Sequence, residues 1–201
     1  MYVPGHYLVN TSSLGEAEEI LGKAYGRMRI ARAASDAEPW IRIWRTRVGP
    51  MTLDDAEISS AIRCELDAPT GVLLCRVRAG SVEFRTGDHR CYERGDVVAI
   101  VSDGGAMASV MTDARCDLVS FAPSFLAEAA AAFGSCPGNM RRFALPVSPS
   151  AGQLVSDVID HIRHFIANNP HVASEPLVVT SAARYLMAAA LTAFPSTAFG
   201  G

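Results

Sequence analysis

Asp88, His89, Cys91 and Glu93 fall within six positions of one another, between apolar runs that end at Phe84 and begin at Val97. Each of these side chains can ligate a metal ion, and a metal site needs three or four of them to converge. Asp88 and His89 are adjacent, so a strand would aim them at opposite faces, whereas His89, Cys91 and Glu93 would share one. No second histidine stands nearby: the others are His6, His161, His164 and His171. Glycine and charge in a turn between two strands account for the segment without a metal. We read it as a turn, with no metal and no cofactor.

His161 and His164 lie at i, i+3 on one helical edge, with Asp157 a turn before them, a spacing able to bind zinc. The stripe faces away from the apolar side of its helix, so a solvated edge is the stronger reading. No Gly-x-Ser-x-Gly elbow is present. Cys64, Cys75 and Cys116 sit inside strand-like runs, where cysteine more often serves as a small buried hydrophobe than as a nucleophile. "SDGGAM" lacks the strand-to-helix context and Lys-Ser/Thr ending of a phosphate loop. Asp54, Asp55 and Glu57 supply carboxylates with nothing to mark them for acid–base work. The residues offer no reaction, and the chain reads as a non-enzyme.

They do offer a cavity. From Trp40 to Ala122, short apolar runs alternate with turn residues at roughly 8 to 12-residue spacing, the pattern of an all-β sandwich or barrel. The runs are "WIRIWRTRV", "MTLDDAEIS", "AIRCELD", "GVLLCRVRAG", "SVEFRT", "DVVAIVS", "MASVMTD" and "RCDLVSFA". A small barrel can hold one ligand between its walls. Trp44, Leu73, Cys75 and Phe84 are the candidate apolar lining, and Arg42 or Arg63, if buried, would receive a carboxylate. The plainer alternative is that Trp44 and Phe84 merely fill the core.

Helices flank this middle. In "SSLGEAEEIL" Ser13 and Glu16 can form a capping box, predicting a helix that ends at Ala24 or Tyr25, before Gly26. "PSFLAEAAAAFG" predicts a helix stopping at Gly134, followed by the short apolar piece "RFALPV". "SAGQLVSDVIDHIRHFIANNP" opens on a second possible box, Ser150 with Gln153, and stops at Asn168-Asn169-Pro170. The closing helix, "LVVTSAARYLMAAALTAF", is apolar almost all round apart from Ser181, Arg184 and Thr192. Such a helix must be covered on most sides. The barrel and the preceding helix supply two covers, and a second subunit is the natural third.

Composition limits the partners. Across 201 residues the net charge is −3, the apolar fraction 49% and the charged fraction 19%. There is no basic stripe of the kind nucleic-acid domains show. The five cysteines are an odd number without CxxC spacing, which argues against a disulfide framework and for a reducing cytoplasm. The start, "MYVPGHYLVN", has no signal-peptide pattern. No run reaches the ~18 apolar residues of a membrane helix, so no membrane partner is expected.

Taken together, "SLGEAEEILGKAYG", "RIWRTRVGPMTLDDAEISSAIRCEL", "VLLCRVRAGSVEFR", "CYERGDVVAI" and "SAARYLMAAALTAFPSTA" resemble, in order and spacing, the N-terminal domain of AraC-type bacterial transcription regulators. The resemblance spans roughly residues 8 to 195. It implies a mainly β fold with α: a cupin-like jelly-roll barrel with an N-terminal helix over residues 1–122 and a C-terminal helical hairpin for dimerisation over 123–195. Residues 196–201 would begin a linker to a helix-turn-helix DNA-binding domain beyond the sequence. Gly95-Asp96 takes the place of the Pro-Gly-Asp of cupin turns. Metal-binding cupins carry a second histidine two residues from the first, and His89 has none. The implied partners are a small-molecule effector, a second copy meeting Tyr185, Leu186 and Ala189, and DNA only through the absent domain. A stand-alone metal-dependent cupin enzyme is the alternative, and a ligand-free oligomerisation domain with a self-packed barrel is a third reading.

Overall fold

A computed structural model describes residues 3–33, 37–67, 71–85, 90–101, 105–133 and 143–194. β1 (Val3–Thr11) leads into α1 (Leu14–Tyr25), then β2 (Met28–Arg32), β3 (Trp40–Val48), β4 (Met51–Ser59) and β5 (Ala61–Leu66). β6 (Val72–Phe84), β7 (Arg90–Glu93), β8 (Val97–Val101) and β9 (Met107–Phe121) follow. α2 (Pro123–Phe133), β10 (Phe143–Ala144), α3 (Pro149–His161), a π-helical turn (Ile162–Ala167), α4 (Pro170–Ser174) and α5 (Pro176–Ala193) complete the described chain.

The strands pair antiparallel throughout, in the order β1-β3-β4-β9-β6-β8-β10. β5 pairs with both β9 and β2, and β7 with β6. The two longest strands thus belong to two walls. The first half of β6 pairs with β8 and its second half with β7. β9 pairs with β5 up to Thr112 and with β4 from Arg115. Both strands bend between those halves. Gly80 in β6 has φ +64°, and a Cβ there would strike the Thr112 and Asp113 carbonyls. Asp113 in β9 has φ +45°, and its carboxylate accepts from the Ser60 N–H at 2.8 Å. Where two short strands were expected on each side of these corners, one long strand turns from wall to wall, because a bulge and a positive φ bend a ladder without ending it.

The interior between the walls is one apolar core. Ile41, Ile43, Ala56, Ile58, Cys75, Val77 and Cys116 from one wall face Ile62, Leu66, Val82, Phe84 and Tyr92 from the other. α1 closes it with Ala17 and Leu21. Ser13 caps α1 as expected, accepting from the Glu16 N–H at 3.3 Å. The return half of the box is relayed: the Ser13 N–H donates to Thr11 Oγ1, whose hydroxyl donates to the Glu16 carboxylate at 2.6 Å. Gly26 ends the helix at φ +115°.

A second core lies on the outer face of the first wall. Leu53, Leu74, Ala99 and Val119 meet Phe125 of α2, Val155 and Ile159 of α3, and Leu186 and Met187 of α5. Each large apolar side chain buried there contributes about 1.5–3 kcal/mol. α3 starts two residues earlier than the Ser150 box predicts. Ser148 is its cap and accepts from the Ala151 N–H, Pro149 opens the helix, and Gln153 donates to Asp157 instead. By length and composition alone α5 could cross a membrane, but here Ala183, Leu186, Met187 and Ala190 cover the sheet.

Candidate functional site: the barrel interior and its junction with the helices

Strand alternation decides which charges enter the barrel. β3 turns Ile41, Ile43 and Arg45 inward, and β4 answers with Asp54, Ala56 and Ile58. Arg45 donates from Nε and Nη2 to the two Asp54 carboxylate oxygens at 2.8 and 2.7 Å. Tyr25, at the end of α1, donates its hydroxyl to Asp54, and the Arg45 guanidinium lies over the Tyr25 ring at 5.3 Å. This latch ties the closing helix to the barrel wall. Burial, reinforced by the Asp54 charge, pushes the Tyr25 phenol well above its ordinary range. Burial alone would depress Arg45, but the Asp54 hydrogen bond and charge together outweigh it and raise its pKa.

Elsewhere in the interior, Cys75 and Cys116 lie in the same core, and the neighbouring Cys116 thiol, with burial, raises Cys75. Burial pushes the Cys64 thiol up to about 12, so it is no nucleophile near neutral pH. Tyr92 meets Phe84 edge-on with ring centroids 5.5 Å apart. Its buried hydroxyl has no hydrogen-bond partner.

The outward-facing residues of the same strands form the junction with the helices. Asp55 of β4 and Asp117 of β9 stand directly opposite each other, a like-charge pair that repels unless it is neutralised. Three arginines neutralise it at close range, with Arg115 a fourth at 3.7 Å from Asp55. Arg76 pairs with Asp117 at 2.5 Å and reaches α3 through the Ser156 carbonyl at 3.1 Å and Asp160 at 2.6 Å. Arg78 binds Asp55 and lies 3.2 Å from Asp117. Arg163, on the π-helical turn, bridges both carboxylates, donating to Asp55 at 2.7 Å and pairing with Asp117. Burial would raise the Asp55 pKa, but the bond and charge of Arg163, with the charges of Arg78 and Arg115, hold it below the usual carboxylate range. The hydrogen bond from Arg76 lowers Asp160 likewise.

The π-helical turn has two lined sides. Toward the barrel, Arg163, His164, Ala167 and Asn168 wall a cleft of about 100 Å³ with Trp44, Thr46, Asp55 and Asp117. Away from it, Ile162 and Ile166 form an apolar groove with Leu177, Val178, Ala182 and Tyr185 of α5. Leu177 is 81% exposed, Phe165 66% and Tyr185 55%. Turns of this kind recur at functional positions because one extra residue re-aims the side chains around it.

The expected site residues divide accordingly. Leu73, Cys75 and Phe84 reach the interior core. Arg42, Trp44 and Arg63 do not. Arg42 faces outward and pairs with Glu57, Arg63 is exposed on β5, and Trp44 lies against Tyr7 on the outer face at 4.8 Å between centroids. Among the described residues the buried arginines are Arg45 and Arg76, and the period-2 parity with Ile41 and Ile43 was the available signal for Arg45. Of the expected dimer contacts, Tyr185 is exposed, whereas Leu186 and Ala189 are buried against the chain's own core, because the sheet takes the face assigned to a partner. Asp88 and His89 lie outside the described residues, as do Pro195 to Gly201; Cys91 and Glu93 are exposed on β7. Among the described residues no group of three or more histidine, cysteine or acidic side chains is placed to hold a metal ion. His161 and His164 are both exposed, and His164 Nδ1 hydrogen-bonds the Asp160 carbonyl at 2.8 Å.

The AraC-like transcriptional activator CuxR superposes on 98% of this chain and 73% of its own, with a TM-score of 0.68 and 14% identity. The chain shares its fold with CuxR. At that identity the likeness to CuxR establishes architecture, and fold does not dictate function. KdgF from Halomonas sp. matches 42% of this chain and 82% of its own at 15% identity, TM-score 0.35. A cupin-like protein from Thermotoga maritima matches 47% of this chain and 78% of its own at 15% identity, TM-score 0.33. No protein-family model and no curated protein matches the sequence.

Proposed function

We propose that this chain is the effector-sensing and dimerisation domain of an AraC-type transcription regulator, a non-enzymatic cytoplasmic module that reaches DNA only through a helix-turn-helix domain beyond Gly201. The observation that carries this reading is the apolar groove on the outer side of the π-helical turn and α5, in a fold shared with CuxR. A second copy of the chain covers that groove, with Tyr185, Leu177 and Phe165 as its anchors.

The strands supply the route between the two functions. In β4, β6 and β9 an interior residue is followed at once by a junction residue: Asp54 and Asp55, Cys75 and Arg76, Cys116 and Asp117. A ligand that shifts these strands moves the carboxylates that hold Arg163, and with them the turn that lines the groove. It changes the balance between two arrangements only by the difference in its affinity for each.

The test is the mass of the purified chain by light scattering, with Leu177→Glu and Tyr185→Glu beside it. The unmodified chain should be a dimer at micromolar concentration and both variants monomers that keep the folded circular-dichroism spectrum. An unmodified chain that is monomeric at those concentrations refutes the dimer.

A further inference from the structure

The effector reading leaves its chemistry open, and the interior narrows it. Among the described residues, three buried side-chain atoms have no hydrogen bond: Arg78 Nε, Asp117 Oδ1 and the Tyr92 hydroxyl. The first two face each other at 3.2 Å within the ionic junction. Tyr92 has no such companion. It is only 2% exposed, its ring packs on Phe84, and its hydroxyl is closed off from solvent inside the barrel. A hydroxyl buried without a partner destabilises a fold, and native interiors rarely leave one so.

Among the described residues the charged groups of the interior are taken. Both inward nitrogens of Arg45 that reach Asp54 are spent there, and the Tyr25 hydroxyl is spent on the same carboxylate. The thiols of Cys75 and Cys116 lie buried in the same core and carry no positive charge. Among the described residues an incoming carboxylate would find no free cation, and burying an unpaired charge costs far more than one hydrogen bond returns. The remaining wall is aliphatic and aromatic apart from Ser109, which is 1% exposed and stands opposite Phe84.

We infer that Tyr92 is the polar recognition residue of the barrel and that the effector is a neutral, largely apolar molecule presenting a hydrogen-bond acceptor, such as a carbonyl or ether oxygen, rather than a carboxylic acid. The inference rests on the effector-sensing reading above and corrects the expectation that Arg42 or Arg63 receives an acid. Tyr92 donates, the acceptor receives, and the apolar remainder of the ligand lies against Phe84 and its neighbours.

The test compares the purified chain with Tyr92→Phe, using three probes of similar shape: acetophenone, benzoate and ethylbenzene. Without any probe, Tyr92→Phe should melt at a higher temperature, because the orphaned hydroxyl is gone. Acetophenone should raise the melting temperature of the unmodified chain more than either other probe. Its affinity should fall about three- to tenfold in Tyr92→Phe, the equivalent of one net hydrogen bond, while that of ethylbenzene holds. A lower melting temperature for probe-free Tyr92→Phe would show the hydroxyl already partnered, by an ordered water for instance. That overturns the role of Tyr92 and leaves the effector reading standing, as would a preference for benzoate. If no probe shifts either protein, the barrel fails as an effector site, and this inference fails with it.

Discussion

Asp117→Asn is the sharpest perturbation of the junction, because it removes a charge and almost no volume. Asp117 is 2% exposed and receives Arg76, Arg78 and Arg163, none of them more than a quarter exposed. Without it, three guanidinium groups crowd on Asp55 and Asp160, with the inter-strand carboxylate gone. Removing one partner from a buried charged pair costs about 3–5 kcal/mol. At about 2–4 °C per kcal/mol for a chain of this length, the melting temperature should fall by about 6–20 °C. Arg163→Met is the control. It removes one cation of three and leaves Arg76 and Arg78 on the carboxylates, so about 1.5–3 kcal/mol should be lost, less whatever solvent already screens. Urea unfolding at equal slope measures both, since the slope reports surface exposed and the midpoint reports stability. A cost below 1 kcal/mol for Asp117→Asn, or a larger cost for Arg163→Met than for Asp117→Asn, would refute the view that Asp117 organises this junction.

Other expectations follow from the same geometry. Leu186→Asp and Ala189→Asp should unfold the chain rather than merely dissociate it, by at least about 3 kcal/mol in urea titration, since an unpaired charge enters a packed core. The depressed carboxyl groups of Asp55 and Asp160 stabilise the fold above their ordinary value of 3.8. That contribution is lost as pH falls through their lower folded values, so circular dichroism should record acid unfolding that Asp55→Asn blunts. Tyr25 has the opposite sign: its raised phenol keeps its proton in the fold, so stability holds below pH 10.0 and declines as pH rises beyond it. Tyr25→Phe should remove that alkaline loss. Gly80→Ala should cost several kcal/mol, because its Cβ meets two carbonyls at a backbone angle side chains avoid.

How far the candidate site could be read in advance depends on the range of the interactions. Cys75 and Phe84 were legible because each lies in a run whose alternation shows an inward side. Arg45 obeys the same parity as Ile41 and Ile43 and could have been found by it. Arg42 and Trp44 attract notice by residue type but stand on the other parity. Tyr92 lies in a four-residue strand too short to show a pattern.

Composition and spacing alone determined the barrel's strand-rich middle, the Ser13 cap and Gly26 stop of α1, and the apolar character of the closing helix. Those features rest on contacts between near neighbours, which leave a period in the sequence. Only the tertiary structure decided which face of α5 the sheet covers, that α3 ends in a π-helical turn, and that Arg163 settles on Asp55, 108 positions away in the chain. A salt bridge of that span leaves no local trace. It exists because two strands place like charges side by side and a distant helix brings the cation that makes the pairing tolerable.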